Sequence, residues 1–279
     1  MTNSTVFQEA VYTTQFSALQ LRPRTLLDLA VNGLARYMAE HLTPFPSFVH
    51  HHNTSVVVRT VYLDYTPPDL HFADAPWLEM HVGMVASGTG EWLSLTVDYQ
   101  AGDRPVARVR LILRVVTVVD PSSLAAQPGR LPESLLARFP ADRRQPAKAF
   151  LGQARAAPPF PAGPQLFATQ RHETTLTRTH CEVADQWSFV EMVEMATVAR
   201  ERLFETLGPS NDVVHQAIGA PVRRLIASYR RPMFVFDRCH TLTQAHRSPD
   251  AKHTVFEHTF QTPVGDKPHL HVWEILDAV

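Results

Sequence analysis

The feature that most constrains this chain is that it aligns with itself. Displaced by 164 residues, Ala35-Arg36 falls on Ala199-Arg200, Val58-Arg59 on Val222-Arg223, Tyr65 on Tyr229, Pro68 on Pro232 and Phe72 on Phe236, with no gap across that span. Further on, Gly102-Asp103-Arg104-Pro105 matches Gly265-Asp266-Lys267-Pro268 at an offset of 163, as one residue lost from a loop would give. Each identity is slight, but their collinearity points to two copies of one unit that stack to share a core. The 279 residues have room for two such units, placed at 1–120 and 167–279. Between them, residues 121–166 hold nine of the 22 prolines. Pro128-Gly129, Pro158-Pro159 and Pro161 break any helix or central strand there, so the segment reads as a surface linker with a short helix around Glu133–Arg138.

Each half repeats one plan. The first predicts a strand near Val6–Phe16, then a helix opened by a Thr25/Asp28 capping box after Pro23. Leu26, Leu27, Leu29, Ala30, Leu34, Ala35 and Met38 make that helix apolar on most of its circumference, hence buried. Strands are expected at about 54–65, 77–87, 91–100 and 105–119, the third with Leu93, Leu95, Val97 and Tyr99 alternating with polar residues. The second half predicts a strand over 169–180, a Ser188/Glu191 capping box, and a helix running to Leu207 with Gly208 as its cap. Strands near 222–230, 233–245, 253–262 and 268–276 follow.

A strand, one long apolar helix and an antiparallel meander, given twice, predict an α+β fold. The pattern resembles a tandem, or double, hotdog, in which each antiparallel sheet wraps one long buried helix. The run from Ala199-Arg200 through Tyr229, Pro232 and Asp237 is similar to the 4-hydroxybenzoyl-CoA and acyl-ACP thioesterase superfamily. The resemblance implies an enzyme acting on an acyl-ACP or acyl-CoA thioester at the seam between paired units, with no cofactor. In the acyl-ACP thioesterases a D-x-N-x-H pattern precedes the second helix. Here Glu182 stands at its Asp, Ala184 at its Asn and Gln186 at its His, so only the acid is kept. The departure, with basic character almost wholly from arginine and abundant Ala and Pro as a GC-rich bacterial genome gives, points to a specialised polyketide or fatty-acid related bacterial pathway. Acyl transfer, decarboxylation or dehydration of the double-hotdog type is the alternative, although the dehydratase H-x-x-x-G-x-x-x-x-P pattern is absent. A non-catalytic binder or isomerase of an apolar intermediate is the other.

At a helix start, free N–H groups and the positive dipole end can hold an oxyanion, and a carboxylate nearby can act as base or nucleophile. The catalytic candidates are therefore Asp185, in the loop before the second helix, and Glu191 and Glu194, three apart on that helix. Trp187, Ser188, Asp28, Asn32, Tyr65 and Tyr229 are the candidates for binding substrate. The 164-residue offset sets Asp28 on Met192, Asn32 on Ala196 and Glu194 on Ala30, which makes the two half-sites chemically different. Cys181 near a helix start could carry a depressed pKa. His50-His51-His52 and the pair His269/His271 lack the Cys or carboxylate spacing of a zinc site, so no metal is expected.

Composition closes off other classes. Twenty-six basic against 27 acidic residues predict no nucleic-acid or anionic-membrane surface. Two cysteines give no disulfide framework, and the absence of a leader-like h-region or an 18-residue apolar run predicts a cytoplasmic protein. Hotdog sheets commonly pair again, so a homodimer of double units is expected.

Overall fold

The computed structural model describes residues 4–120, 124–158, 160–161, 163–208, 211–265 and 267–277. Pro159 of the linker and Asp266 of the second hairpin lie outside the described residues. The first half runs β1 (Ser4–Ala10), α1 (Pro23–His41), α2 (Phe45–His50), β2 (Thr54–Tyr65), β3 (Trp77–Ser87), β4 (Trp92–Ala101) and β5 (Arg104–Asp120). The middle segment holds β6 (Ala125–Pro128), α3 (Glu133–Leu136), β7 (Arg144–Gln145) and α4 (Ala147–Ala154). The second half runs β8 (Gln170–Thr175), α5 (Phe189–Glu201), α6 (Leu203–Leu207), α7 (Asp212–Gly219), β9 (Val222–Tyr229), β10 (Arg238–Arg247), β11 (His253–Gln261) and β12 (Leu270–Asp277).

This is a mixed fold of one large, almost wholly antiparallel sheet and few helices. The sheet order is β1-β3-β4-β5-β2-β9-β12-β11-β10-β8, with β6 and β7 attached to β5 and β3. Read outward from the β2–β9 pair, the two flanks present their strands in the same sequence. At that central pair Tyr62 lies opposite Ile226, with Thr60 opposite Ser228 and Asp64 opposite Arg224. Alternation along β2 sends Val61, Leu63 and Tyr65 to the face that carries α1 and α5, and Tyr62 and Asp64 to the other. The apolar residues of both flanks, including Leu63, Val97, Val193, Leu225 and Val272, form one continuous core. The middle segment crosses the opposite face, where Phe150 packs on Trp92 and Ile112, and Phe160 lies against Trp273 and Ile275.

Several local expectations change. Neither capping box forms. α1 begins at Pro23, so Thr25 sits inside it and donates its hydroxyl to Gln15 O, while Asp28 turns outward. At α5, Ser188 is the cap residue, yet its side chain bonds no backbone N–H because Glu191 is drawn elsewhere. The expected first strand is shortened to Ser4–Ala10, and the second helix is interrupted at Arg202 before Gly208, at φ +80°, ends it. The repeat also needs a gap. The single-turn helices at Thr13–Gln15 and Arg178–His180 are 165 residues apart, and the helix starts Pro23 and Phe189 are 166 apart, against 164 for Tyr65 and Tyr229. Asp28 therefore corresponds to Glu194, not to Met192.

The two flanks differ most in their interiors. In the second, Glu274 is fully buried; Thr197 Oγ1 and Arg200 Nε donate to it at 2.7 and 2.8 Å, and His258 Nε2 lies 3.3 Å away. Arg200 also donates to Ala217 O, which ties α5 to α7. Strand register places Val82, Val97 and Leu111 at the matching positions of the first flank, where Gly33 allows α1 to approach Val82. Burial alone would raise the Glu274 pKa, but Arg200, His258 and Thr197 hold it down at about 2. Glu274→Ala, which strands a buried guanidinium, is expected to cost about 3–5 kcal/mol in urea unfolding, and joint replacement of Arg200 and Glu274 by apolar residues to recover most of it. The contribution of Glu274 should be complete above pH 4.5, its unfolded value, and disappear as pH falls through about 2.

Candidate active site at the helix starts

The N-terminal turns of α1 and α5 meet above the central strand pair. Arg24, in the first turn of α1, reaches across to Glu191, in the first turn of α5, at 2.5 Å for one nitrogen and 3.1 Å for the other. The same guanidinium lies 3.7 Å from Asp28 on its own helix. Glu194, one turn beyond Glu191, is half-buried and makes no hydrogen bond or ion pair among the described residues. Burial raises its carboxyl pKa above the ordinary 4.5, Arg22 and Arg24 pull against that rise, and Glu191 and Glu201 add to it. The site thus brings Glu191 and Glu194 together with Arg22 and Arg24 from the other half.

Backbone donors accompany this carboxyl. The first three residues of α5, Phe189, Val190 and Glu191, have no acceptor within the helix, and Ser188 does not cap them. α1 opens with Pro23, which has no N–H to offer. The α5 end is the richer donor set, and the helix dipole adds a partial positive charge there.

The remaining candidates fall elsewhere. Asp185, at φ +52°, is exposed and paired with Arg178 at 3.2 Å, away from Glu194's surroundings. Its acid is spent on a surface ion pair because the tight turn between Glu182 and Gln186 points it outward. Asn32 is exposed on α1, and Asp28 is largely so; partial burial raises the Asp28 pKa and Arg24 opposes it. Tyr65 and Tyr229 are buried pillars whose hydroxyls donate to Leu21 O at 2.7 Å and to Phe189 O at 2.6 Å, so neither is free to meet a substrate carbonyl. Trp187 is buried edge-on against Tyr229, Phe260 and His269. Ser188 is half-buried, and its hydroxyl is open beside the helix start.

In the preceding loop, Glu182 keeps an exposed edge, yet the protein packed around it raises its carboxyl against the Gln186 amide 3.4 Å away. Cys181 is pushed up, not down, by burial and by Asp185, Asp237 and Glu182. His269 Nδ1 lies 2.9 Å from Pro232 O, and His271 stacks on Trp273. Among the described residues no cluster of three His, Cys, Asp or Glu could hold a metal ion, and no helix is long and apolar enough to cross a membrane. A cleft of about 920 Å³ opens on the opposite face of the sheet, bordered by Asp64, Asp98, Arg108, Arg224, Phe160 and His253. It spans the seam but does not reach the helix starts. Residues facing that cleft are ion-paired across strands, Arg108 with Asp98 at 2.5 Å and Arg224 with Asp64.

No family model and no curated protein sequence matches the chain. Solved structures do. A putative oleoyl thioesterase from Lactobacillus plantarum superposes with a TM-score of 0.70 at 11% identity, over 99% of this chain and 96% of that one. The fold is that of the hotdog thioesterases. The 12:0-ACP thioesterase from Umbellularia californica gives 0.65 at 11% identity over 98% and 94%, and an acyl-ACP thioesterase from Bacteroides thetaiotaomicron gives 0.62 at 8% over 99% and 98%. Coverage of nearly the whole of each chain means that the likeness includes both flanks and the segment between them.

Arg24 and Arg22 escaped the sequence reading, because a cross-half contact leaves no local spacing. Arg24 has a signal only in its i,i+4 relation to Asp28. Tyr65→Phe is expected to cost about 1–3 kcal/mol by orphaning the buried Leu21 carbonyl, and Tyr229→Phe less, since Phe189 O keeps its acceptor role within α5, losses that thermal unfolding would register. A catalytic hydroxyl would instead leave the melting temperature unmoved.

Proposed function

We propose that this protein is a thioesterase-like hydrolase of acyl thioesters, built as an internally duplicated double hotdog with units at 1–120 and 167–279 and a linker at 121–166. The observation that carries the reading is Glu194, a half-buried, unpaired carboxyl with a raised pKa beside an uncapped helix start. The likeness of the fold to thioesterases over almost the entire chain supports it. The mirrored strand order about β2 and β9 supports the duplication.

In this reading the thioester carbonyl lies at the start of α5, with its oxygen toward the N–H groups of Phe189–Glu191. Glu194 in its carboxylate form takes a proton from a water molecule as the water oxygen bonds to the carbonyl carbon. The negative charge moves onto the carbonyl oxygen and is held by the backbone donors. Collapse re-forms the carbonyl and breaks the C–S bond; the departing thiolate takes the proton from Glu194 and leaves as the thiol. No cofactor is required. A raised pKa makes the carboxylate a stronger base at neutral pH than an exposed one.

Glu182 is the second acid to test, since the resemblance sets it where thioesterases carry an Asp, and its carboxyl is also raised. The outward turn of Asp185 onto Arg178 favours a second reading, in which the protein binds an apolar thioester and releases it intact. Thiol release from a panel of acyl-CoA and acyl-ACP substrates separates the two. Turnover should rise with pH as Glu194 loses its proton, with a midpoint above the ordinary 4.5. Glu194→Gln should lower kcat/KM by roughly 10²–10⁴-fold with the fold intact, in keeping with loss of a general base. Retained ligand without any thiol release across the panel would overturn hydrolysis and favour the binder.

A further inference from the structure

The helix starts invite comparison of the two half-sites at equivalent positions. Asp28 on α1 corresponds to Glu194 on α5, so both halves keep an acid there. The residue that corresponds to Arg24 is Val190, which is buried and apolar. The cation is therefore present once, and it comes from the first half. It engages Glu191 with two nitrogens and stands 3.7 Å from Asp28, while Glu194 has no direct partner.

We propose that Arg24 is the positioning residue of a single active site per chain. By clamping Glu191 it fixes the first turn of α5 against α1 and leaves Glu194 as the one free carboxyl at the seam. The inference rests on the hydrolase reading for its consequence, but the clamp itself is a property of the fold. Glu191 cannot serve as the base while its oxygens are held by Arg24 at 2.5 and 3.1 Å. Asp28 is exposed and lies against the guanidinium in its own helix, beside a start that Pro23 deprives of a donor. The clamp also places a positive charge near Glu194 without contacting it. Burial raises the Glu194 carboxyl, and Arg22 and then Arg24 pull it back toward the carboxylate. The groups facing Glu194 electrostatically are Arg22 and Arg24 from the α1 side, Tyr65 from β2, and Glu191 and Glu201 from its own helix.

The test uses the full chain, labelled with ¹³C at glutamate side-chain carboxyls, with Glu194→Gln to assign the Glu194 signal. Arg24→Gln, Arg24→Lys and Glu191→Gln are compared by carboxyl titration and by thiol release from lauroyl-CoA and oleoyl-CoA across pH. Arg24→Gln should move the Glu194 midpoint up by about one pH unit, the size expected for losing a nearby opposite charge. The pH–rate midpoint should move with it, so activity falls most on the acid side. Arg24→Lys should recover most of the shift, since it keeps the charge, but not the two-pronged hold on Glu191. An unchanged Glu194 midpoint in Arg24→Gln, with an unchanged circular dichroism spectrum, would overturn the positioning role. A midpoint shifted by Arg24→Gln, in a protein whose wild type releases thiol from no acyl-CoA or acyl-ACP of the panel, supports the clamp and overturns the hydrolase reading. If Arg24→Gln proves unfolded, Arg24→Lys decides by thiol release: a kcat/KM unchanged from wild type overturns the proposal, and a fall with charge and fold kept supports it.

Discussion

The antiparallel pairing of β2 with β9 is the interaction on which everything else in this molecule depends. Backbone hydrogen bonds between Thr60–Asp64 and Arg224–Ser228 join two five-stranded flanks into one sheet. The side-chain period of two then fixes which residues face the helices. Val61 and Leu63 face Leu225 and Ala227 within a common core, so a one-residue slip would turn both apolar sets outward. With that register set, α1 and α5 have nowhere to lie except side by side on the same face, with their N-terminal turns in contact.

The candidate site follows from this meeting of helix starts. A single carboxylate on a helix is ordinary. What distinguishes Glu194 is that the other candidates are already committed: Glu191 to Arg24, Asp185 to Arg178 at the surface, and the tyrosine hydroxyls to backbone carbonyls. The two flanks also divide tasks in their interiors. One is filled by Val82, Val97 and Leu111. The other holds Arg200 and Glu274 hydrogen-bonded to each other in the interior, with His258 Nε2 3.3 Å from the carboxylate. Such a network confers geometric uniqueness more than stability, and it anchors α5, the helix that carries the candidate carboxyl.

Much of the plan was legible from the residues. The strands at 54–65 and 77–87 came out at their expected bounds, because alternation over ten or more residues is a strong periodic signal. Glu191 and Glu194 were placed on the second helix by a capping pattern that marked the right start although the box itself does not form. The capping boxes failed because the spacing of Thr25 with Asp28 and of Ser188 with Glu191 is a local pattern, and a cross-half arginine competes for the same carboxylate. The ungapped repeat misplaced the helices by two residues, since matching letters such as Ala35-Arg36 and Ala199-Arg200 carry less information than where each helix begins.

The sequence by itself determined the principal strands, the two helices that cover the sheet and the apolar faces, since all of these are set by periodicity and composition within a few dozen neighbouring residues. Only the tertiary structure decided which acid is free, that Asp28 and Glu194 are counterparts, and that Arg24 serves the other half. Those facts depend on contacts between residues more than 160 positions apart. Charge pairing and desolvation act through space, and the chain carries no local mark of them until the sheet brings its two ends together.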